Sequence, residues 1–195
     1  MMTDTEKLII ELKSEELENR LYAAEDLLEL LDEVVVNELI NALAIERSQI
    51  VKEALVTALV ESLRNEEILT DTIYSKLFNF FKIEDEYLRN QTITILGSGK
   101  LGVVLFLKSN YEASDKDIRK LILDTLLLIN SIESINVLRL GLKDEDVNNQ
   151  ITAIEYLTIL KDSQLVNHLK SILKEKSTLE LMLVQVAESA LQILQ

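Results

Sequence analysis

Five stretches of this sequence carry a similar order of polar and apolar positions, and that recurrence limits the fold more than any other feature. Residues 85–97, DEYLRNQTITILG, place an acid ahead of Leu88-Arg89, then Ile93, Leu96 and Gly97. Residues 115–127, DKDIRKLILDTLL, repeat this with Asp115, Ile118-Arg119, Ile122 and Leu126. Residues 144–160 do so again through Asp144, Val147-Asn148 and Ala153-Ile154. Upstream, 15–30 offers Arg20, Ala23 and Leu27, and 48–59 offers Val51-Lys52, Ala54 and Leu59. Taking Arg20, Lys52, Arg89, Arg119 and Asn148 as equivalent gives steps of 32, 37, 30 and 29 residues. Steps that vary this little are expected of two-helix units joined by loops of unequal length. One hairpin cannot bury its apolar face, but neighbours on either side can.

Each unit reads as a first helix with a 3.6-residue apolar period and a second apolar segment behind it. The second segments are 34–44, 68–82, 134–143 and 165–174. Polar breaks divide them at Ser48, Asn65-Glu66, Glu84-Asp85, Ser114-Asp115, Asp144-Glu145, Asp162-Ser163 and Ser177-Thr178. Several of these suit an N-cap, where a Ser or Asp oxygen accepts from a free backbone N–H. Proline is absent and glycine occurs four times, so the frequent turns of an all-β chain have no residues to make them. The expected fold is all-α: an α-solenoid of about six stacked hairpins, forming one domain over 1–195.

This pattern resembles HEAT repeats, and especially the short bacterial kind related to phycobilisome-lyase-type proteins. The closest matches are Leu88-Arg89 with Leu96-Gly97, and Ile118-Arg119 with Thr125-Leu126. The chain departs from that pattern in lacking proline at helix turns and in placing Asn148 where arginine is wanted. The resemblance implies a HEAT-like or armadillo-like superhelix whose second helices line a concave face. It also implies two functions. One is a non-catalytic scaffold that grips another protein or peptide. The other is a bilin-handling protein acting with a partner subunit.

Charge and residue usage narrow the remaining choices. The net charge is −14, and residues 1–90 hold 21 acids against 9 bases. That argues against nucleic acid, whose binding rests on Lys and Arg neutralising phosphates; the acidic half either steers a basic partner or is a solvated surface that keeps the chain in solution. No cysteine is present, which excludes disulfides and thiolate metal sites. No run of about 20 apolar residues occurs, and the acidic start MMTDTEKLIIELKSEE lacks the basic region of a signal peptide. A cytoplasmic protein without a membrane span and without a cofactor is expected.

Gly97-Ser98-Gly99-Lys100-Leu101-Gly102 fits the dinucleotide-binding fingerprint letter for letter. That fingerprint works between a strand and a helix. Here it follows the helical NQTITIL, so it reads as a helix end and hairpin turn. His168 is the only histidine, too few for a histidine metal site. The acids show no spacing that marks calcium binding or acid–base work, so the residues favour a binding protein over an enzyme.

Candidate partner-binding residues come from the second helices. Tyr74, Phe78 and Phe81 form one stripe beside a second through Ile73, Leu77 and Phe80. Two stripes exceed one core face, so either Phe78 or Tyr74 stands exposed in a groove, or the core is unusually thick there. Asn79, Arg139 and His168 are the polar candidates for the same groove. The last segment, 177–195, is apolar around much of its circumference. Either Met182, Val186 and Ile193 form an interface, including a homodimer through the C-terminal helix, or the helix tucks into the preceding hairpin with Glu180, Gln185, Glu188 and Gln192 as its wet strip.

Overall fold

The computed structural model describes residues 2–65, 69–174 and 180–195. Among them the chain forms twelve α-helices and no strand. These are α1 (Asp4–Glu11), α2 (Leu17–Asp26), α3 (Glu33–Ile45), α4 (Gln49–Arg64), α5 (Asp71–Asn79), α6 (Glu86–Gly97), α7 (Leu101–Tyr111), α8 (Lys116–Ile129), α9 (Ile132–Leu138), α10 (Val147–Ile159), α11 (Leu165–Lys174) and α12 (Leu181–Leu194). Tighter 3-10 turns extend three of them, at Leu27–Leu30 after α2, Phe80–Lys82 after α5 and Arg139–Lys143 after α9. The polar breaks at Glu66 and at Ser177-Thr178, together with Ile68 and Leu179, lie outside the described residues.

The caps show why the helices start where they do. Asp32, Asp85, Asp115 and Asp146 each accept from a backbone N–H of the first turn. Ser131 and Ser134 form a reciprocal capping box at the start of α9. Ser48 precedes α4 without a side-chain cap, and the break read at Asp144-Glu145 is capped by Asp146, two residues on. That frees the Asp144 carboxylate for other work.

The chain divides into two compact units, 1–106 and 107–195. In the first, α2, α4 and α6 pack side by side in one layer and α1, α3 and α5 in the other. In the second, α8, α10 and α12 make one layer, with α9, its 3-10 extension and α11 packed on them. The five repeated stretches become α2, α4, α6, α8 and α10, and the expected second segments become α3, α5, α9 and α11. Each unit thus stacks helical hairpins as an α-solenoid does.

The cores are apolar: Leu27, Leu39, Leu55, Leu59 and Leu77 are fully buried in the first unit, and Ile122, Leu123, Leu126, Ile154 and Leu157 in the second. Among the described residues no helix is long and apolar enough to cross a membrane.

The glycine-rich run is the turn between α6 and α7. None of its glycines has a positive φ, so it supplies space and not a left-handed bend. A Cβ on Gly102 would lie 2.6 Å from the Tyr74 hydroxyl, and one on Gly99 2.3 Å from the Val103 side chain. Gly141 plays the same part in the second unit, where a Cβ would stand 2.8 Å from that of Ala153 and 3.1 Å from Leu123.

Candidate binding cleft

Arginine side chains fasten the loops between successive hairpins within each unit. Arg20, on α2, donates from Nε and Nη2 to the two oxygens of Glu46, at 2.8 and 3.2 Å. Its Nη1 reaches back to the Ser14 and Glu15 carbonyls, each at 2.9 Å. Arg119, at the equivalent place on α8, donates from Nε and Nη2 to Asp144 at 2.8 Å each, and from Nη1 to the Ser114 carbonyl at 2.8 Å. In both cases one planar guanidinium ties the turn before its own helix to the turn before the next helix of its layer. The five donors of arginine in a fixed fork suit that geometry, and lysine could not reproduce it. The equivalent Lys52 does something different: its ammonium lies over the Tyr87 ring, 4.8 Å from the centroid. Asn148 is exposed.

Around the Arg119–Asp144 pair the second unit opens into a cleft of about 640 Å³. One wall is this pair, with Tyr111 at the end of α7 donating its hydroxyl to Asp144 at 2.6 Å. The other wall is a second two-pronged pair: Arg139, in the 3-10 turn, donates to Asp162 at 2.8 and 2.6 Å. Leu140, Leu142 and Leu165 supply the apolar lining, and His168 on α11 completes it. Glu112 and Glu145 stand exposed at the rim, with Lys143.

The electrostatics of the walls are settled by their partners. Burial opposes charge on Asp144, but hydrogen bonds from Arg119 and Tyr111 and from the Asp146 N–H outweigh it and hold the carboxyl below its usual range. The Arg139 bond leads in lowering Asp162. Both arginines are raised, first by the hydrogen bonds to their acids. Burial, then the bond to Asp144, pushes the Tyr111 hydroxyl up. His168 is shifted down, mainly by desolvation, with the Leu142 carbonyl opposing that shift. Its Nε2 is buried and has no hydrogen-bond partner. A neutral imidazole that donates from one nitrogen leaves the other as an acceptor.

The sequence-derived candidates separate into three groups. Arg139 and His168 come together in this cleft. Asn79 lies elsewhere, on the exposed side of α5, where its Oδ1 accepts from Lys82 at 3.1 Å. Tyr74, Phe78 and Phe81 are core: they are 5%, 5% and 3% exposed. The expectation that Tyr74 or Phe78 stands open in a groove is corrected here, because Phe106 of α7 packs against both rings at centroid distances of 5.6 and 5.7 Å. Phe81 meets Phe78 edge-on at 5.5 Å. Met182 and Ile193 are exposed on α12 and Val186 is half-buried, while Leu183, Val184, Ala187 and Ala190 face the core.

Asp144, Asp162 and Tyr111 are the cleft residues the sequence reading passed over as functional. A signal did exist for the acids. Each lies 23 to 26 residues beyond its arginine, as Glu46 does beyond Arg20.

The fold is that of helical-repeat proteins. No family model and no curated protein sequence matches the chain. Solved structures similar to it are HEAT-like and armadillo repeat proteins. One is the complex of CpcE and CpcF of phycocyanin lyase from Nostoc sp. PCC7120, at 20% identity over 96% of this chain and 75% of that one, with a TM-score of 0.46. Another is an archaeal HEAT-like repeats protein from Thermococcus onnurineus, at 11% identity over 96% and 85%, with a TM-score of 0.45. A designed armadillo repeat protein in complex with the peptide (KR)4 matches at 12% identity over 99% and 100%, with a TM-score of 0.41. The resemblance carried by the repeats has its counterpart there.

Proposed function

We propose that this chain is a non-catalytic binding module that holds a segment of another protein, with the cleft of the second unit receiving a basic side chain. The observation that carries this reading is the state of the cleft's ionisable groups. Asp144 and Asp162 are held charged by arginine, Tyr111 is pushed away from ionising, and both arginines are raised further. General acid–base catalysis needs a group free to exchange protons, whereas Tyr111, Arg119, Asp144, Arg139 and Asp162 are engaged in hydrogen bonds with one another. The paired walls are instead rigid and pre-formed, which suits binding because little is left to order. A lysine or arginine fits the lining: its aliphatic stem lies on Leu140, Leu142 and Leu165, and its charged head meets Glu112 and Glu145. His168 Nε2 adds a neutral acceptor. The net charge of −14 assists the approach of such a partner.

A peptide-display selection on the immobilised chain, repeated on a Glu112→Lys/Glu145→Lys variant, tests this. The reading expects enriched peptides to carry Lys or Arg and to lose binding to the variant. It fails if the selected peptides are not basic, or bind both proteins equally. Visible pigment absorbance in the purified chain would point instead to the bilin-handling role. Self-association through α12 uses other residues and is compatible with this reading.

A further inference from the structure

We propose that the first unit holds a second binding pocket, which takes one glutamate or aspartate side chain, next to an aliphatic one, from a segment of another protein. The pocket, of about 260 Å³, surrounds the Arg20–Glu46 clamp, between the turn before α2 and the turn after α3. Arg20 and Glu46 play the parts that Arg119 and Asp144 play in the second unit, and the Ser14 carbonyl that of the Ser114 carbonyl. Because the clamp fixes the frame, its neighbours in sequence fall on equivalent rims. The residue after the clamp acid is Glu145 in the second unit and Arg47 in the first. The two residues ahead of the clamped serine are Glu112-Ala113 there and Leu12-Lys13 here. One frame thus carries an acidic rim in one unit and a basic rim in the other.

The charges of the lining leave Arg47 to meet a guest. Glu46 is the acid of that lining, and only 6% of its side chain is exposed. It accepts from Arg20 Nε and Nη2 and from the backbone N–H groups of Arg47 and Ser48, the last two at 2.8 Å each. A carboxylate so occupied is matched by its own donors. The Lys13 ammonium is engaged by Glu38, 2.8 Å away. Arg47 is exposed, and among the described residues its guanidinium has no partner. A guanidinium with free donors takes a carboxylate as a two-pronged pair. Ile45, in the same lining with Leu12 and Ala42, is 77% exposed and gives an aliphatic neighbour of that carboxylate a place to bury. The guest carries one negative charge and not several. Glu11, Glu15 and Glu16 are exposed about the turn before α2, and residues 1–90 hold 21 acids against 9 bases. That field repels a run of acids, and it repels a phosphate, which brings nearly two charges, more than a single carboxylate. The pocket shares no residue with the cleft of the second unit, so the two proposals are tested apart.

Amide chemical-shift mapping on the isotope-labelled full chain tests it, with the blocked peptide Ala-Leu-Glu-Leu-Ala added to on the order of 1 mM. Shifts grouped at 12–20 and 42–47 are expected, and none there with the same peptide carrying Gln in place of Glu. Arg47→Glu changes an exposed side chain and keeps the backbone bond to Glu46, so it is expected to retain native helical circular dichroism and to lose the response to the glutamate peptide. The same variant is expected to respond at 12–20 and 42–47 to Ala-Leu-Lys-Leu-Ala. A native chain whose residues 12–20 and 42–47 do not move overturns the proposal. So does an equal response to the glutamine peptide, a response to the glutamate peptide that survives Arg47→Glu, or a variant that the lysine peptide leaves unmoved there.

Discussion

Arg119 and Asp144 face one another as two parallel hydrogen bonds of 2.8 Å, with only 9% and 1% of their side chains exposed. A buried pair of this kind adds little net stability as a unit, since both charges were desolvated to form it. Breaking it is another matter. Asp144→Ala leaves a buried guanidinium and the Tyr111 hydroxyl without their acceptor, and is expected to cost about 3–5 kcal/mol. Arg119→Lys keeps the charge but loses the fork and the tie to Ser114, so it is expected to fall well short of native stability. Urea unfolding of the two variants measures both. An Asp144→Ala chain as stable as the native one would show that the pair does not fasten these turns.

Gly102 offers a change of sign. Alanine is preferred to glycine inside a helix by about 1 kcal/mol, yet a Cβ at 102 would lie 2.6 Å from the Tyr74 hydroxyl. Gly102→Ala is therefore expected to destabilise the native chain by about 1–3 kcal/mol through overpacking. In a Tyr74→Phe background the nearest ring carbon is 3.4 Å away, and the same substitution is expected to stabilise. Thermal midpoints of the four proteins give the cycle, and a Gly102→Ala effect of equal sign in both backgrounds contradicts the account.

Among the described residues, Asn130 after α8, at φ 46°, and Lys161 after α10, at φ 54°, adopt left-handed backbone. Asparagine tolerates this region, whereas for most side chains it costs about 1–2 kcal/mol. Lys161→Gly is expected to raise the unfolding midpoint and Lys161→Val to lower it. At 130, glycine is expected to be near neutral and valine to destabilise. Both valine variants unfolding with the native chain would contradict this.

The pH dependence follows from His168 and the two paired acids. His168 is shifted down in the folded chain, so below the ordinary histidine value of about 6.5 the unfolded state binds the extra proton and gains. Its contribution is present above that pH and is lost as pH falls through it. The Asp144 and Asp162 contributions are present above the ordinary carboxylate range and are lost as pH falls through their lowered folded values. Unfolding free energy is expected to drop in two stages on acidification. In His168→Asn only the lower stage remains. A variant that retains the upper stage would remove His168 as its cause.

How far the sequence could be read depended on what each pattern encodes. Arg20 and Arg119 are recognisable as equivalents because the 3.6-residue period carries them to the same face. Their acids are harder to find. Asp144-Glu145-Asp146 offers three carboxylates in a row, and only the backbone of the turn decides that Asp146 caps α10 while Asp144 turns inward. The aromatic stripes misled because a regular helix was continued to residue 82. The chain tightens into a 3-10 turn at Phe80, and Phe106, from a helix two segments away in sequence, closes over the rings. The exposed apolar face of α12 was legible, since the last segment is apolar around more of its circumference than one core face needs. Of the cleft's second wall Arg139 was legible as a polar residue of a second helix, but its pairing with Asp162 was not, because Arg139 lies outside the repeated pattern.

The central claim is that the second unit's cleft binds a basic segment. Titrating a Lys/Arg octapeptide into isotope-labelled chain, with a Glu/Asp octapeptide as control, tests it most directly by amide chemical-shift mapping. The account predicts shifts grouped at 139–145 and 162–168 with the basic peptide, none with the acidic one, and their loss in Glu112→Lys/Glu145→Lys. Shifts scattered over the acidic surface, or a cleft left unmoved, would contradict it.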